Sequence, residues 1–591
     1  MKNNKEIKSP QHTGSINQNT KFNMDTRLSR RSFVGSSAAM ATAGLLGGGL
    51  ASGLASASTI PTSGIISVRS FDVVGDGVTD DTVNLQRALN ALDTGVTLLL
   101  EGLTLMISST LEIPGKSGFV IDGQGATIIA EDGMLVEPNS NLLFIHECTD
   151  FTVRNLTVDG NRSTRIPAEV WAHNIAIHSC MRFIFEQVSS KNAVVDGFCF
   201  SLMNPQNYND TSTYNRDFII LNCFADNCYR QGASVINAYD FLFIGGAYTN
   251  TNGTAPQAGI DVEANSGPTL GNARGRFYGC RFEGNAGYGL ILSGVGGARS
   301  FSVESCNFYS NGRGGLGVEA DDSHIRNCEF NQHNGAEIPQ GVVAFQGNEN
   351  IVSGSISNCR FTDNATTKHA IYLHPFTSGI KVSNNRISNH SGPGIFMFGT
   401  RHIVDKNSIT QCSGAGIEAN CADSVISENY IKNTTERGIY GGPGERLRVI
   451  RNTVEDITNV AGGYIQCVGI DCEIEGNSCI STSPTSDYGI WIKTSALAVH
   501  GNICVNLNPS DPYYFYSFEG DANNQLFYNN IGGTENDRRT VRKGMAIPAF
   551  SNNQRPDASS MAIGQSIFNT TTGQPNWSDG SNWVDSAGNI I

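Results

Sequence analysis

The sequence predicts an all-β chain built as a parallel β-helix, a solenoid of roughly a dozen coils. Two periodic marks and one absence predict it. In "GCRF", "SCNF", "NCEF" and "NCRF", Cys280, Cys306, Cys328 and Cys359 each stand two residues before a Phe. Asn385, Asn407, Asn429, Asn452, Asn477 and Asn502 then take over the same slot, at steps of 22 to 31 residues through the series. The second mark is a small residue opening an alternating strand: Gly197, Gly232, Gly259, Gly289, Gly315, Gly341, Ala370, Gly394, Gly416, Gly438 and Gly489. No amphipathic helix interrupts the series. A unit this short cannot bury its own apolar face, and stacking buries a continuous one. Identical small or amide side chains recurring once per coil read as internal columns, with Asn amides bonded up and down the stack.

Composition agrees and excludes several classes. The chain has 591 residues, 66 of them Gly, with 16% charged and 39% hydrophobic, which argues against disorder. A net charge of −14 disfavours a nucleic-acid partner. Fifteen cysteines, an odd count, fall between Cys148 and Cys504 without a C-x-x-C pair. That pattern speaks against a disulfide or zinc framework and for structural stacks.

Residues 1–57 read as an export signal. Arg30 and Arg31 in "LSRRSFVG" precede a weakly apolar Gly/Ala-rich run and an A-x-A site at 55–57, which resembles a twin-arginine signal. The expected destination is the periplasm or the cell exterior. Removing the segment takes away seven Lys/Arg and two Asp/Glu and lowers the net charge to −19. No later stretch is long and apolar enough to span a membrane.

Residues 58–130 read as an N-terminal cap with the first coils. In "FDVVGDGVTDDTVNLQRALNAL", residues 71–92, "GDG" makes a tight turn and Asp80 or Asp81 caps a helix. Leu85, Ala88, Leu89 and Leu92 share one face of that helix, which is expected to cover the open end of the solenoid. Asp76, Asp80 and Asp81 are therefore given structural roles. This stretch resembles the opening of the pectate-lyase-like superfamily, with its rhamnogalacturonase-like and epimerase-like enzymes and phage tailspikes. The resemblance implies a right-handed helix, here 131–541, a polysaccharide partner, and a monomer or homotrimer. Residues 542–591, with Trp577 and Trp583, lack the coil pattern and read as a small β module for capping or assembly.

Counting from each marker, residues +1 and +3 are expected inside and +2 and +4 outside. The first outer column reads Ser234, Asp261, Ile291, Gly317, Val343, Tyr372, Phe396, Glu418, Tyr440 and Trp491. The second reads Ile236, Glu263, Ser293, Glu319, Phe345, His374, Phe398, Asn420, Gly442 and Lys493. A strip with carboxylates, a His and aromatic platforms suits a linear polysaccharide. Phe396, Glu418, Tyr440, Trp491 and Lys493 are its expected binding residues, and the resemblance implies that this sheet lines the groove.

Three chemistries compete there. A uronate lyase would use His374 and Tyr372 as base and acid, with Asp261, Glu263 and Glu319 holding Ca²⁺ against the substrate carboxylate. This is the preferred reading, with Asp261 and Glu263 as the metal pair. An inverting hydrolase would use Glu263 with Glu319, two coils apart at about 9.5 Å, or the closer Asp261–Glu263 pair. An epimerase would share the lyase's proton abstraction. "VVDGF" at 194–198 and "ADDSH" at 320–324 do not reproduce polygalacturonase motifs. A non-catalytic glycan-binding scaffold is the remaining alternative. Arg401, His402 and His369 are secondary candidates, and Trp171 and His173 are placed at the N-terminal end of the groove or in packing.

Overall fold

A computed structural model of the chain describes residues 64–591, except 167–169, 205–208, 265–270, 336–339, 348–349, 367, 459–462, 483–487, 494–496, 508–513, 519–525, 529–530, 533–548 and 562. The described residues fall in the second of two units of the chain, Thr62–Ile591. The signal expected at 1–57 lies outside the described residues.

The second unit is a parallel β-helix. One sheet has 16 parallel strands in consecutive coils, from Leu111–Pro114 to Tyr514–Phe518. A 34-stranded sheet supplies two further faces, which share the long strands Val120–Ala130 and Thr149–Asp159. The solenoid thus has more coils than the dozen expected. The earliest coils lack the glycine mark, because Leu142 and Asn174 fill its slot.

The marker glycines are required by contact. A Cβ on Gly259 would lie 2.6 Å from the Gly289 carbonyl oxygen, and one on Gly289 would lie 2.8 Å from that of Gly315. Beneath them runs a Phe column. Phe282, Phe308, Phe330 and Phe361 stack at centroid distances of 4.8, 4.7 and 4.7 Å, the spacing of the strands themselves.

The amide column forms as the sequence predicts. Asn385 N–H donates to Asn407 Oδ1, and the same 2.9 Å bond repeats through Asn429, Asn452 and Asn477 to Asn502. Each Asn also donates Nδ2–H to a backbone carbonyl, as Asn429 does to Val404. All fifteen cysteines are buried and free.

Two expectations about the outer columns need correction. Val343 pairs with Leu316 and Ile371, and Phe345 with Val318 and Leu373, so both point inward. Gly341 pairs with His369, one residue before the marker slot, which Val342 occupies. Ala344 and Gln346 therefore replace Val343 and Phe345 on the outer face. One further coil, near Gly463, lies between the marker residues Gly438 and Gly489. Ile465 pairs with Ile439, which places Gln466 between Tyr440 and Trp491.

The helix Thr82–Asn90 buries Leu85, Ala88 and Leu89, as expected. Asp80 accepts from Thr82 N–H, while Asp81 clasps the N–H groups of Val74 and Gly75. Gln86 uses its amide like a peptide group. Its Nε2 donates to Glu112 O and its Oε1 accepts from Glu112 N–H, each at 2.8 Å. Glu112 belongs to the first strand of the 16-stranded sheet, so Gln86 blunts an edge open to foreign pairing. At the other end of the sequence, a four-stranded sheet spans Ala549–Val584, with Trp583 in its small core. Among the described residues, no helix is long and apolar enough to cross a membrane.

Asn429→Ala removes the acceptor for Asn407 N–H and Nδ2–H and the donor to Val404 O. Buried orphans of this kind cost about 1–3 kcal/mol each. Chemical denaturation is expected to show a loss of at least that size, whereas Lys406→Ala on the surface stays within about 0.5 kcal/mol.

Candidate active site

The register brings polar side chains together near the N-terminal end of the 16-stranded face. Asp196 pairs with Gln231, Cys199 with Ser234, and Ser234 with Asp261. Asp261 is only 3% exposed, whereas Glu263, two residues on, is exposed. With Trp171, Arg230, Gln231, Ser234 and Ile236 they line a cavity of about 70 Å³.

Asp196 anchors the floor. It is fully buried and receives Arg230 Nε at 2.8 Å on Oδ1 and the Ser234 hydroxyl at 2.8 Å on Oδ2. His173 Nδ1 lies 3.2 Å from the same Oδ2. Burial opposes the charge on Asp196, but Arg230 and His173 outweigh it and hold its pKa well below the usual carboxylate range. Trp171 covers the cluster. Its ring faces the Arg230 guanidinium at 6.0 Å and meets the His173 ring edge-on at 5.7 Å.

Asp261 behaves oppositely. Burial, reinforced by the Glu263 carboxylate, pushes its pKa up to about 7. Gln231 Nε2 donates to its Oδ2 at 2.8 Å, and its Oδ1 has no hydrogen-bond partner. A carboxyl raised in this way keeps its proton close to neutral pH, as a general acid requires.

The remaining sequence candidates lie further along. Glu319, half-buried, is two coils from Glu263. Tyr372 and His374 are four coils from Asp261, about 19 Å at a strand spacing of ~4.8 Å. The expected lyase set therefore does not converge on one point. Tyr372 stacks on Phe396 at 5.7 Å and 8°, and His369 stacks on Phe396 at 4.5 Å. Burial lowers the pKa of His374 and raises that of Tyr372.

Beyond them the outer column continues through Glu418, Tyr440, Gln466 and Trp491. Burial raises the Glu418 pKa. Arg437 lies 4.8 Å over the Tyr440 ring and Lys493 lies 4.0 Å over the Trp491 ring. His402 is structural: it is fully buried, with Nε2 2.7 Å from Phe398 O. Arg401 is exposed and bonds Ser378.

Sequence reasoning missed Asp196, Arg230 and Gln231. Asp196 and Gln231 directly precede a marker glycine, in "VDG" and "RQG", and Arg230 stands one residue before Gln231. The glycine and its successor both face the core, so the residue before the glycine rejoins the outer face. Among the described residues, three-donor groupings form at His173–Asp196–Cys199 and Glu473–Glu475–His500; Asp261 and Glu263 join neither.

A family model described as right handed beta helix region matches residues 258–401, 340–470 and 377–554, together half of the chain, and the chain belongs to that family. No curated protein matches it. Among solved structures it is similar to tailspike protein 3 of bacteriophage CBA120, with 12% identity, TM-score 0.38, and coverage of 89% of this chain and 70% of that one. The N-terminal fragment of gene product 12 of bacteriophage phi29 matches with 12% identity, TM-score 0.48, and coverage of 81% and 96%. The A-module of an Azotobacter vinelandii mannuronan C-5 epimerase matches with 12% identity, TM-score 0.21, and coverage of 79% and 99%.

Arg230→Met leaves Asp196 buried without its main counter-charge. Breaking such a pair from one side costs about 3–5 kcal/mol. A large fall in the denaturation midpoint is expected, with substantial recovery in Arg230→Met/Asp196→Leu, where no uncompensated carboxylate remains.

Proposed function

We propose that this right-handed β-helix protein is a polysaccharide hydrolase that cleaves at the Asp261–Glu263 pocket. The observation that carries the reading is the buried Asp261 carboxyl, held near pKa 7 beside an exposed carboxylate. Asp261 is the general acid: its proton goes to the glycosidic oxygen as the bond breaks. Glu263 is the general base for the attacking water. Two residues along a strand at about 3.3 Å each set the Cα atoms about 7 Å apart, the order of the roughly 6.5–9.5 Å between carboxyl groups that inverting enzymes use. Gln231 orients the acid, and the Asp196–Arg230 pair fixes the floor beneath it. The aromatic column from Tyr372 through Phe396, Tyr440 and Trp491, with Glu418 and Lys493, is the binding path for a linear chain. The protein works outside the cytoplasm, exported by the arginine-pair signal, as a monomer or homotrimer.

A uronate lyase is the second reading. One observation favours it: burial keeps His374 neutral, able to accept a proton, and Tyr372 protonated, able to give one. Calcium at Asp261 and Glu263 would then act about four coils away from the base, so the metal and the proton transfer would need different parts of the substrate.

The mature chain is assayed on neutral, uronate-containing and sulfated polysaccharides, following reducing ends and unsaturated-uronate absorbance together. Reducing ends without absorbance, unaffected by chelator, are expected, and the first product anomer is inverted. Absorbance rising with reducing ends overturns the hydrolase in favour of the lyase. Asp261→Asn is expected to lower kcat by about 10²–10⁴-fold. Because the acid must be protonated, kcat/KM falls as pH rises through about 7; Asp261→Asn removes that alkaline limb.

A further inference from the structure

We propose that His173, Asp196 and Cys199 form a buried binding site for a divalent transition-metal ion of the zinc class. The strand geometry assembles it. Gly197 and Phe198 both turn to the core, so Asp196 and Cys199, three residues apart, return to the same outer side. Cys199 pairs with Ala176 in the preceding coil, which sets His173 beside Asp196. One donor atom from each of the three lies within 4.8 Å of the others, and the residues are 1%, 0% and 0% exposed.

The second observation is the His173 imidazole, which is ion-paired with Asp196 but lacks an aligned hydrogen bond. Nδ1 of His173 faces Asp196 Oδ2 at 3.2 Å out of hydrogen-bond alignment, and neither ring nitrogen has an aligned partner. A buried polar atom left this way is costly, and a metal ion would satisfy it. The donor set selects the ion: imidazole and thiolate favour zinc-like ions over calcium or magnesium, which take oxygen ligands.

The surroundings fit such a centre. Arg230 and Ser234 already donate to the two oxygens of the carboxylate, as partners of metal-bound carboxylates do. Trp171 packs on His173 and excludes water from one side. Three protein donors leave a fourth position for water. Binding displaces the Cys199 thiol proton and any imidazole proton, so affinity rises with pH. The site does not include the proposed acid and base, but its ligand Asp196 also forms the floor beneath them, and Trp171, Arg230 and Ser234 border both.

The test uses the metal-stripped mature chain titrated with Co²⁺, then Zn²⁺ loading with elemental analysis. One equivalent is expected, with a thiolate-to-cobalt charge-transfer band and tetrahedral d–d bands. Cys199→Ser is expected to lose the charge-transfer band, and His173→Gln to weaken binding at least tenfold. His500→Gln, at the oxygen-rich second grouping, leaves the spectrum unchanged. Circular dichroism establishes that each variant is folded. Absence of one-to-one binding by the wild-type chain overturns the proposal whatever the variants do, as does an unchanged spectrum in folded Cys199→Ser.

Discussion

The molecule depends on one close approach between coils. At the marker glycines the next coil's carbonyl oxygen lies where a methyl group would be, at 2.4 Å for Gly232 and 2.7 Å for Gly416. A Cβ at these glycines would require a neighbouring strand to move, although Leu142, Asn174, Val342 and Ala370 fill the same slot in other coils. The approach locks successive coils in register, and register makes like side chains meet like: phenylalanine on phenylalanine, then asparagine on asparagine. The interior is thus a set of columns, each stabilised by its own repetition through ring stacking or a continuous amide ladder.

The same rule builds the outer face, where its consequence is chemical. A side chain's nearest neighbours are the occupants of its slot in the coils above and below. When His173, Asp196 and Gln231 occupy one slot and Cys199, Ser234 and Asp261 another, a polar cluster forms against the sheet with little water. Burial there opposes every charge. Asp196 stays ionised because Arg230 and His173 face it, whereas burial, reinforced by Glu263, pushes Asp261 up to about 7. Environment alone sets two identical carboxyls to opposite tasks.

Much of this was legible in the sequence. The Cys/Asn slot, the marker glycines and the cap helix all follow from period and residue type, because a solenoid repeats its local rules. The failures have physical causes. Gly341 looks like a marker but lies one residue early, with Val342 in the slot, so Val343 and Phe345 were set outside instead of inside. Leu142 and Asn174 hid the first coils. The column before the glycine was invisible because two consecutive inward residues break strict alternation. That column holds Asp196 and Gln231, without which Asp261 looks like an ordinary surface acid. The separation of the expected lyase residues was itself legible, because the outer columns already put Tyr372 and His374 four coils from Asp261 and Glu263.

The central claim is that Asp261 is a buried acid protonated near neutral pH. Infrared difference titration of chain labelled with ¹³C-carboxyl aspartate, compared with Asp261→Asn, measures this directly. The account predicts a protonated carboxyl band present only in the wild-type protein and lost with a midpoint near pH 7. A band already lost by about pH 4, the ordinary aspartate range, would contradict the assignment of Asp261 as the acid.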